Sequence, residues 1–444
     1  MRTALGQGHV STVIQSLEIQ LRDAAFRDLR QLLEELLNDR SILADDQAAR
    51  PCEIIHRQRS RRVETLFGPI TLSRNYYYHT KAHQGRYPLD ETLDLVRGDT
   101  PSFAKLICQA ATLSTSYARA GATLAEFAGV TLDERKFSRL VADIVPELEA
   151  AQATLPQPSD ITLPILYLET DGTGTPFRRE ILAGVKGKQP DGSAHTREAK
   201  LGCAFTQTTC DAEGRPQRDP DSTTYVTTYV GTYDGCREIG TLLRAEALRR
   251  GYAQAQTTVY LGDGAPWIWE NARINFPGAV QILDFYHAGE HAGTLAVALH
   301  GPGEIASQQQ TRWCHLMKHN SAQPIIDEVT TLLAEHRDHW PENKIIEIEK
   351  QIDYFRTNAE RMRYGEFIAA GYFIGSGVVE AGCKTVIGQR MKQSGMFWGE
   401  TGGQAILKLR CMVLSRNFEE IWAARLPILA QARTQAPRWL PSLN

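Results

Sequence analysis

A chain of 444 residues with 42% hydrophobic content is long enough for two or three domains with packed cores. No run nears the roughly 20 apolar residues of a membrane span, and the opening MRTALGQGHVSTV lacks the apolar centre of a secretion signal, so a cytoplasmic protein with no membrane contact is expected. Eight cysteines without a Cys-x-x-Cys pair argue against a zinc ribbon or disulfide framework, and a net charge of −3 leaves any attraction to a polyanion to local basic clusters.

Residues 11–40 space Val13, Ile14, Leu17, Leu21, Leu29, Leu32, Leu33 and Leu36 at near-helical intervals among charges, which predicts an amphipathic packing helix. HRQRSRR at 56–62 leads into RVETLF and ITLSRNYYY around Phe67-Gly68-Pro69, an alternation that predicts a hairpin with arginines on one face. Arg57, Arg59, Arg61 and Arg62 are candidate phosphate contacts there, a solvated charged strand being the plain alternative.

Segments 102–115, 116–127 and 132–145 read as three short helices, the last two joined by Ala128-Gly129-Val130 at helix-turn-helix spacing. In the third, Arg135, Lys136 and Arg139 would point outward while Phe137, Leu140 and Ile144 pack inward, as in a groove-reading helix. Three-helix units also serve as plain scaffolds. Pro146, Pro156 and Pro158 then punctuate a domain boundary.

From 161 the period changes. Strands are predicted in ITLPILYLETDG, KLGCAFTQTTC and STTYVTTYV, a helix in DGCREIGTLLRAEALRRG, a strand in TTVYLGDG, a helix in WIWENARINF and a strand in AVQILDFYH. The order β-β-β-α-β-α-β is that of the RNase H fold, an α/β class with a mixed sheet. Residues 290–370 turn helical and charged, as an insertion before a last helix. The expected divisions are 1–97, an N-terminal helix and basic hairpin; 98–155, a helix-turn-helix-like domain; 156–289, the first part of the catalytic domain; 290–370, the insertion; and 371–444, a C-terminal catalytic helix and tail.

Phosphodiester cleavage with two metal ions needs about three carboxylates converging from different elements, because Mg²⁺ prefers hard oxygen ligands. Asp171 closes the first predicted strand in YLETDGTGTP and Asp263 the fourth in VYLGDGAPW, each followed by glycine. Glu380 lies in IGSGVVEAGCKTVIGQRMK, where Ser376 would cap a helix carrying it. Singly an Asp-Gly pair is most often a turn; together, in this element order, the three suggest one site. Glu169, two residues before Asp171, shares its face and is an auxiliary or rival ligand.

DFYHAGEH places Asp284-x-x-His287 at the end of the fifth predicted strand. His287, Glu290 and His291 also spell the inverted zinc-peptidase pattern, a reading of another enzyme class. Downstream of Glu380, Lys384, Arg390, Lys392, Phe397 and Trp398 are candidates to hold phosphates and an unstacked base, against a reading of surface charge and a core tryptophan.

The strings TLFGPITLSRNYYY with RYPLDETL, LETDGTGTPF, TREAKLGCAFTQ, YLGDGAPWIW, FPGAVQILDFYHAGEH and IGSGVVEAGCKTVIGQRMKQSGMFW resemble, in order and spacing, bacterial insertion-sequence transposases of the ISKra type, related to Mutator-like transposases; the likeness runs from about residue 60 to 425. It implies a DDE catalytic triad of Asp171, Asp263 and Glu380 holding two Mg²⁺ or Mn²⁺ ions, with Asp284-x-x-His287 as the signature after the second aspartate. It also implies double-stranded DNA partners, the transposon's terminal inverted repeats and target DNA, and a homodimer or larger assembly on paired ends. A non-catalytic DNA-binding regulator of transposase descent is a further alternative. The one departure is YYYHTKAHQG, where the resemblance implies cysteines and this chain offers His79 and His83.

Overall fold

The computed structural model describes residues 10–158, 163–187, 189, 191–206, 209–210, 216–217 and 227–435. The chain divides into two compact units, 1–154 with 419–444, and 155–418.

The first unit opens with α1 (Val10–Asn38) and a three-stranded antiparallel sheet of β1 (Glu53–Thr65), β2 (Gly68–His79) and β3 (Gln84–Arg86), in that order. Leu33 and Leu37 of α1 pack on Val63, Ile70, Leu72 and Leu89 beneath the hairpin. Ile14, Leu21, Leu29, Leu32 and Leu36 are exposed, so α1 buries only part of its predicted apolar surface; the side chain of Val13 lies outside the described residues.

The arginines of β1 do not share a face. Side chains alternate along a strand, and Arg59 and Arg61 fall on the side of the buried Val63 and Thr65, with Arg62 on the other; a bulge between His56 and Arg59 resets the register before them. Arg61 is tied to Asp90 at 2.6 Å, and Arg74, opposite Arg59, is buried against the same carboxylate at 2.6 Å.

After α2 (Pro88–Thr92) come α3 (Pro101–Leu113), α4 (Tyr117–Ala128) and α5 (Glu134–Ala153). Ser116 and Asp133 cap α4 and α5 through backbone N–H groups, and Gly129, at φ 66°, ends α4 in the left-handed region. Phe103, Ile107, Leu124, Phe137, Leu140 and Ile144 form the buried faces. The expected break at Pro146 is absent: α5 continues through it to Ala153. Lys136 does not point outward either. It is half-buried in an ion pair with the fully buried Asp99, while Arg135 and Arg139 are exposed. The final helix, α16 (Phe418–Gln435), belongs from Glu419 to this unit, where Arg425 is buried between Asp94 and Glu147.

The second unit is built on a five-stranded sheet of β4 (Leu163–Pro176), β5 (Thr196–Thr206), β6 (Thr228–Thr232), β7 (Ala255–Gly262) and β8 (Val280–Leu283), in the spatial order β8-β7-β4-β5-β6. β4, β5 and β6 are antiparallel neighbours; β7 and β8 run parallel to β4 and arrive through α6 (Cys236–Arg249) and α7 (Pro266–Asn275). Residues 207–208 of the second predicted strand and 222–226 of the third lie outside the described residues. A side chain at Gly202 would meet Leu243 of α6, and one at Gly231 would meet Leu407 of α15 (Glu400–Leu414). Register puts these glycines on opposite faces of the sheet, so both faces are covered and β4 reads as an unbroken apolar run from Leu166 to Leu168.

β8 is shorter than predicted. Asp284 does not end a strand; it caps α8 (Phe285–His300), accepting from the N–H groups of Tyr286 at 2.6 Å and His287 at 3.2 Å. From α8 the chain is helical through α9 (Glu304–His319), α10 (Gln323–His336), α11 (Glu342–Asn358) and α12 (Tyr364–Ala369). It returns to the sheet with α13 (Gly377–Gly382), a π-helical turn over Cys383–Gly388 and the short α14 (Gln389–Met391).

Candidate active site

Asp171 sits inside β4 rather than at its end. Its parallel partner stops short: the last pair is Glu169 with Leu261, and β7 finishes at Gly262. Continued by two residues, that register brings Asp171, still within β4, level with Asp263, which lies just past the end of β7. Past this point β4 is paired only with β5, so its other edge opens into a cleft.

Asp171 lines that cleft, of about 320 Å³, together with Thr173, Glu380, Cys383, Lys384, Gly388 and Lys392. Burial raises the Asp171 carboxyl above its ordinary value, a hydrogen bond from the Gly172 N–H opposes this, and the charges of Asp263 and Glu198 push it further up. Asp263 is half-buried and accepts from the Ala265 N–H at 3.0 Å. Two carboxylates in each other's field repel, and a cation between them would relieve both.

Glu380 reaches the cleft from the first turns of α13 and is exposed. Two buried acids hold that helix start. Glu169, fully buried, accepts from the Val379 N–H at 2.7 Å and is pushed up to about 8, chiefly by burial. Asp284 accepts from the Ser376 N–H at 3.0 Å and from its hydroxyl, and that hydroxyl oxygen lies 3.2 Å from Glu380 Oε1. Glu169 and Asp284 are thus supports for the helix carrying Glu380, Glu169 through the Val379 N–H and Asp284 through Ser376. The sequence signalled Ser376 only as a cap.

The oxygen donors suit a hard divalent cation. Asp171 and Glu380 both line the cleft and Asp263 lies in the field of Asp171, yet among the described residues no three His, Cys, Asp or Glu side chains approach closely enough to enclose an ion. Asp171 and Glu380 therefore line the cleft, with Asp263 outside its lining, and the three do not show the two-metal spacing expected of them.

The basic candidates divide. Lys384 and Lys392 line the cleft, Lys392 Nζ donating to Thr173 Oγ1 at 2.5 Å. Arg390 is fully buried with its guanidinium 5.1 Å from the Trp398 ring centre, and the Trp398 indole donates to the Met391 carbonyl at 3.1 Å, so both are core, not surface contacts; Phe397 is exposed. His287 pairs with Glu290 at 3.5 Å, while His291 Nδ1 engages Gln351 at 2.7 Å and its ring stacks on Tyr354 at 3.6 Å. The zinc-peptidase pattern does lie on a helix, but one of its two imidazoles is already occupied. His83 Nδ1 contacts the Tyr78 hydroxyl at 3.1 Å, and His79 Nδ1 accepts from the Ala82 N–H at 3.0 Å. Among the described residues no helix is long and apolar enough to cross a membrane.

Residues 10–186 match UPF0236, described as an uncharacterised protein family. No curated protein matches the chain. Among solved structures, the Drosophila P element transposase strand transfer complex aligns at 11% identity over 72% of this chain and 92% of that one, with a TM-score of 0.33.

Proposed function

We propose that this chain is a DDE transposase whose 155–418 unit is an RNase H-like catalytic domain carrying a helical insertion between the second and third acidic residues. The observation that carries the reading is the placement of Asp171 on the central strand, Asp263 level with it at the end of the parallel neighbour, and Glu380 on the same cleft as Asp171. Strand order β8-β7-β4-β5-β6, with three antiparallel strands followed by two parallel ones, is the topology this chemistry occupies in RNase H-like folds.

In this reading Asp171, Asp263 and Glu380 would hold two Mg²⁺ or Mn²⁺ ions. When bound, such ions supply charge stabilisation at the phosphoryl oxygens and acidify a bound water. Lys384 and Lys392 place positive charge on the cleft wall, where they would hold the phosphates flanking the scissile bond. Cleavage by water at a transposon end leaves a 3′-hydroxyl, which then attacks a phosphodiester of target DNA; both are in-line displacements at phosphorus. Glu169, Asp284 and Ser376 fix the helix start that carries Glu380. Arg135 and Arg139, exposed on α5, are proposed to grip the DNA ends, and pairing two ends calls for at least two copies on DNA. The test is divalent-metal-dependent nicking of a duplex carrying the element's inverted repeats. Nicking in EDTA, or none with either metal, would refute the reading.

A further inference from the structure

Tyr354 reaches the acidic cluster from α11 of the helical insertion. Its ring stacks on His291 at 3.6 Å with 14° between the planes, and its hydroxyl lies within 2.8 Å of where a Cβ on Gly264 would stand, immediately after Asp263. That position admits only glycine on two counts, since Gly264 also has φ 96°. The hydroxyl oxygen is buried and makes no hydrogen bond among the described residues. A buried hydroxyl without a partner is destabilising and calls for a reason.

The acceptors near it can be taken in turn. The phenol sits in the field of Asp263, Asp284 and Glu290, and burial together with these charges pushes its ionisation up, keeping it a neutral donor. Asp284 already accepts from Tyr286, His287 and the backbone and hydroxyl of Ser376. Glu290 is exposed, with the His287 ring 3.5 Å away. Asp263, with the Ala265 N–H on Oδ1, keeps acceptor capacity and directly precedes Gly264, against which the hydroxyl packs.

We infer that Tyr354 is a positioning residue for Asp263, its hydroxyl closing onto the Asp263 carboxylate when the cleft takes up a divalent cation. The inference rests on the function proposed above and gives the helical insertion a part in assembling the site: α11 supplies the donor that orients the second aspartate. Hydrogen bonds of this kind are often open in a free enzyme and tighten on ligand binding.

Tyr354→Phe removes only the hydroxyl, so the protein should still fold. In EDTA its melting temperature should equal or exceed that of the parent, because no bond is lost. With Mn²⁺ added, the metal-induced rise in melting temperature should be smaller than the parent's, and nicking of inverted-repeat DNA should slow about tenfold or more at unchanged DNA affinity. A fall of several degrees in EDTA would show that the hydroxyl already has a protein partner and would overturn the inference. So would a parent-like Mn²⁺ response with parent-like nicking. A parent protein that neither responds to Mn²⁺ nor nicks DNA would instead overturn the transposase reading itself, and this inference with it.

Discussion

Glu169→Gln should remove a pH dependence built into the centre of the second unit. The Glu169 side chain is fully buried, and burial pushes it from an ordinary 4.5 to about 8. The folded protein therefore keeps a proton that the unfolded chain releases, unfolding liberates it, and stability falls as pH rises between these two values. Each pH unit in that window is worth about 1.4 kcal/mol, so the whole shift amounts to something on the order of 5 kcal/mol. Glutamine has the same shape, keeps an oxygen for the Val379 N–H and cannot titrate. Hydrogen exchange of the β4 amides, measured in EDTA at pH 5, 6.5 and 8, gives the opening free energy of this strand. Opening should become easier as pH rises, and much more steeply in the parent than in the glutamine protein. Identical pH slopes in the two proteins would show that Glu169 is ionised in the fold and would refute the reasoning.

Lys136→Ala should destabilise the first unit by about 3 kcal/mol, since it leaves Asp99 buried without its cation; Arg135→Ala and Arg139→Ala should leave melting nearly unchanged, yet weaken binding to end DNA and lower its salt slope by about one per lost phosphate contact. Equal effects of all three on melting would contradict this division. Trp398→Ala should cost about 3–5 kcal/mol as a core truncation, whereas Lys392→Ala should spare the fold and reduce cleavage; a Trp398→Ala protein with parent stability would place the indole at the surface. Ser376→Ala should reduce cleavage more than DNA affinity, because it loosens the tie between Asp284 and the helix of Glu380; a purely affinity-based loss would argue against that tie.

What could be read from sequence follows from what local pattern encodes. The strands of the second unit announce themselves as short apolar or alternating runs, and the aspartates at 171 and 263 stand out because each follows such a run and precedes glycine. The end of β8 was not legible. Leu283, Phe285, Tyr286 and Ala288 carry apolar character across the boundary, and periodicity cannot tell a buried strand from the first turn of a buried helix, so Asp284 read as a strand end when it is an N-cap. Basic residues misled for a different reason. The partners that take Lys136 and Arg61 inward are Asp99 and Asp90, and Arg390 is covered by Trp398 within the same fold. Charge alone does not say whether a side chain meets solvent, DNA or a distant carboxylate. Tyr354 carried no signal, since an aromatic in an amphipathic helix is ordinarily core; only the unpaired hydroxyl beside Gly264 singles it out.

Asp171 is proposed to anchor a metal-dependent phosphoryl-transfer site. Asp171→Asn keeps the side chain's size and removes the charge that would hold a divalent cation. The direct measurement compares the purified parent and Asn proteins on duplex DNA carrying the inverted repeats, with Mg²⁺, Mn²⁺ or EDTA, scoring strand nicks and DNA affinity together. The account predicts nicking by the parent only with metal, none by the Asn protein, and DNA affinity in the latter equal to the parent's or slightly tighter, because one negative charge has left a phosphate-binding cleft. Parent-level nicking by the Asn protein would contradict it.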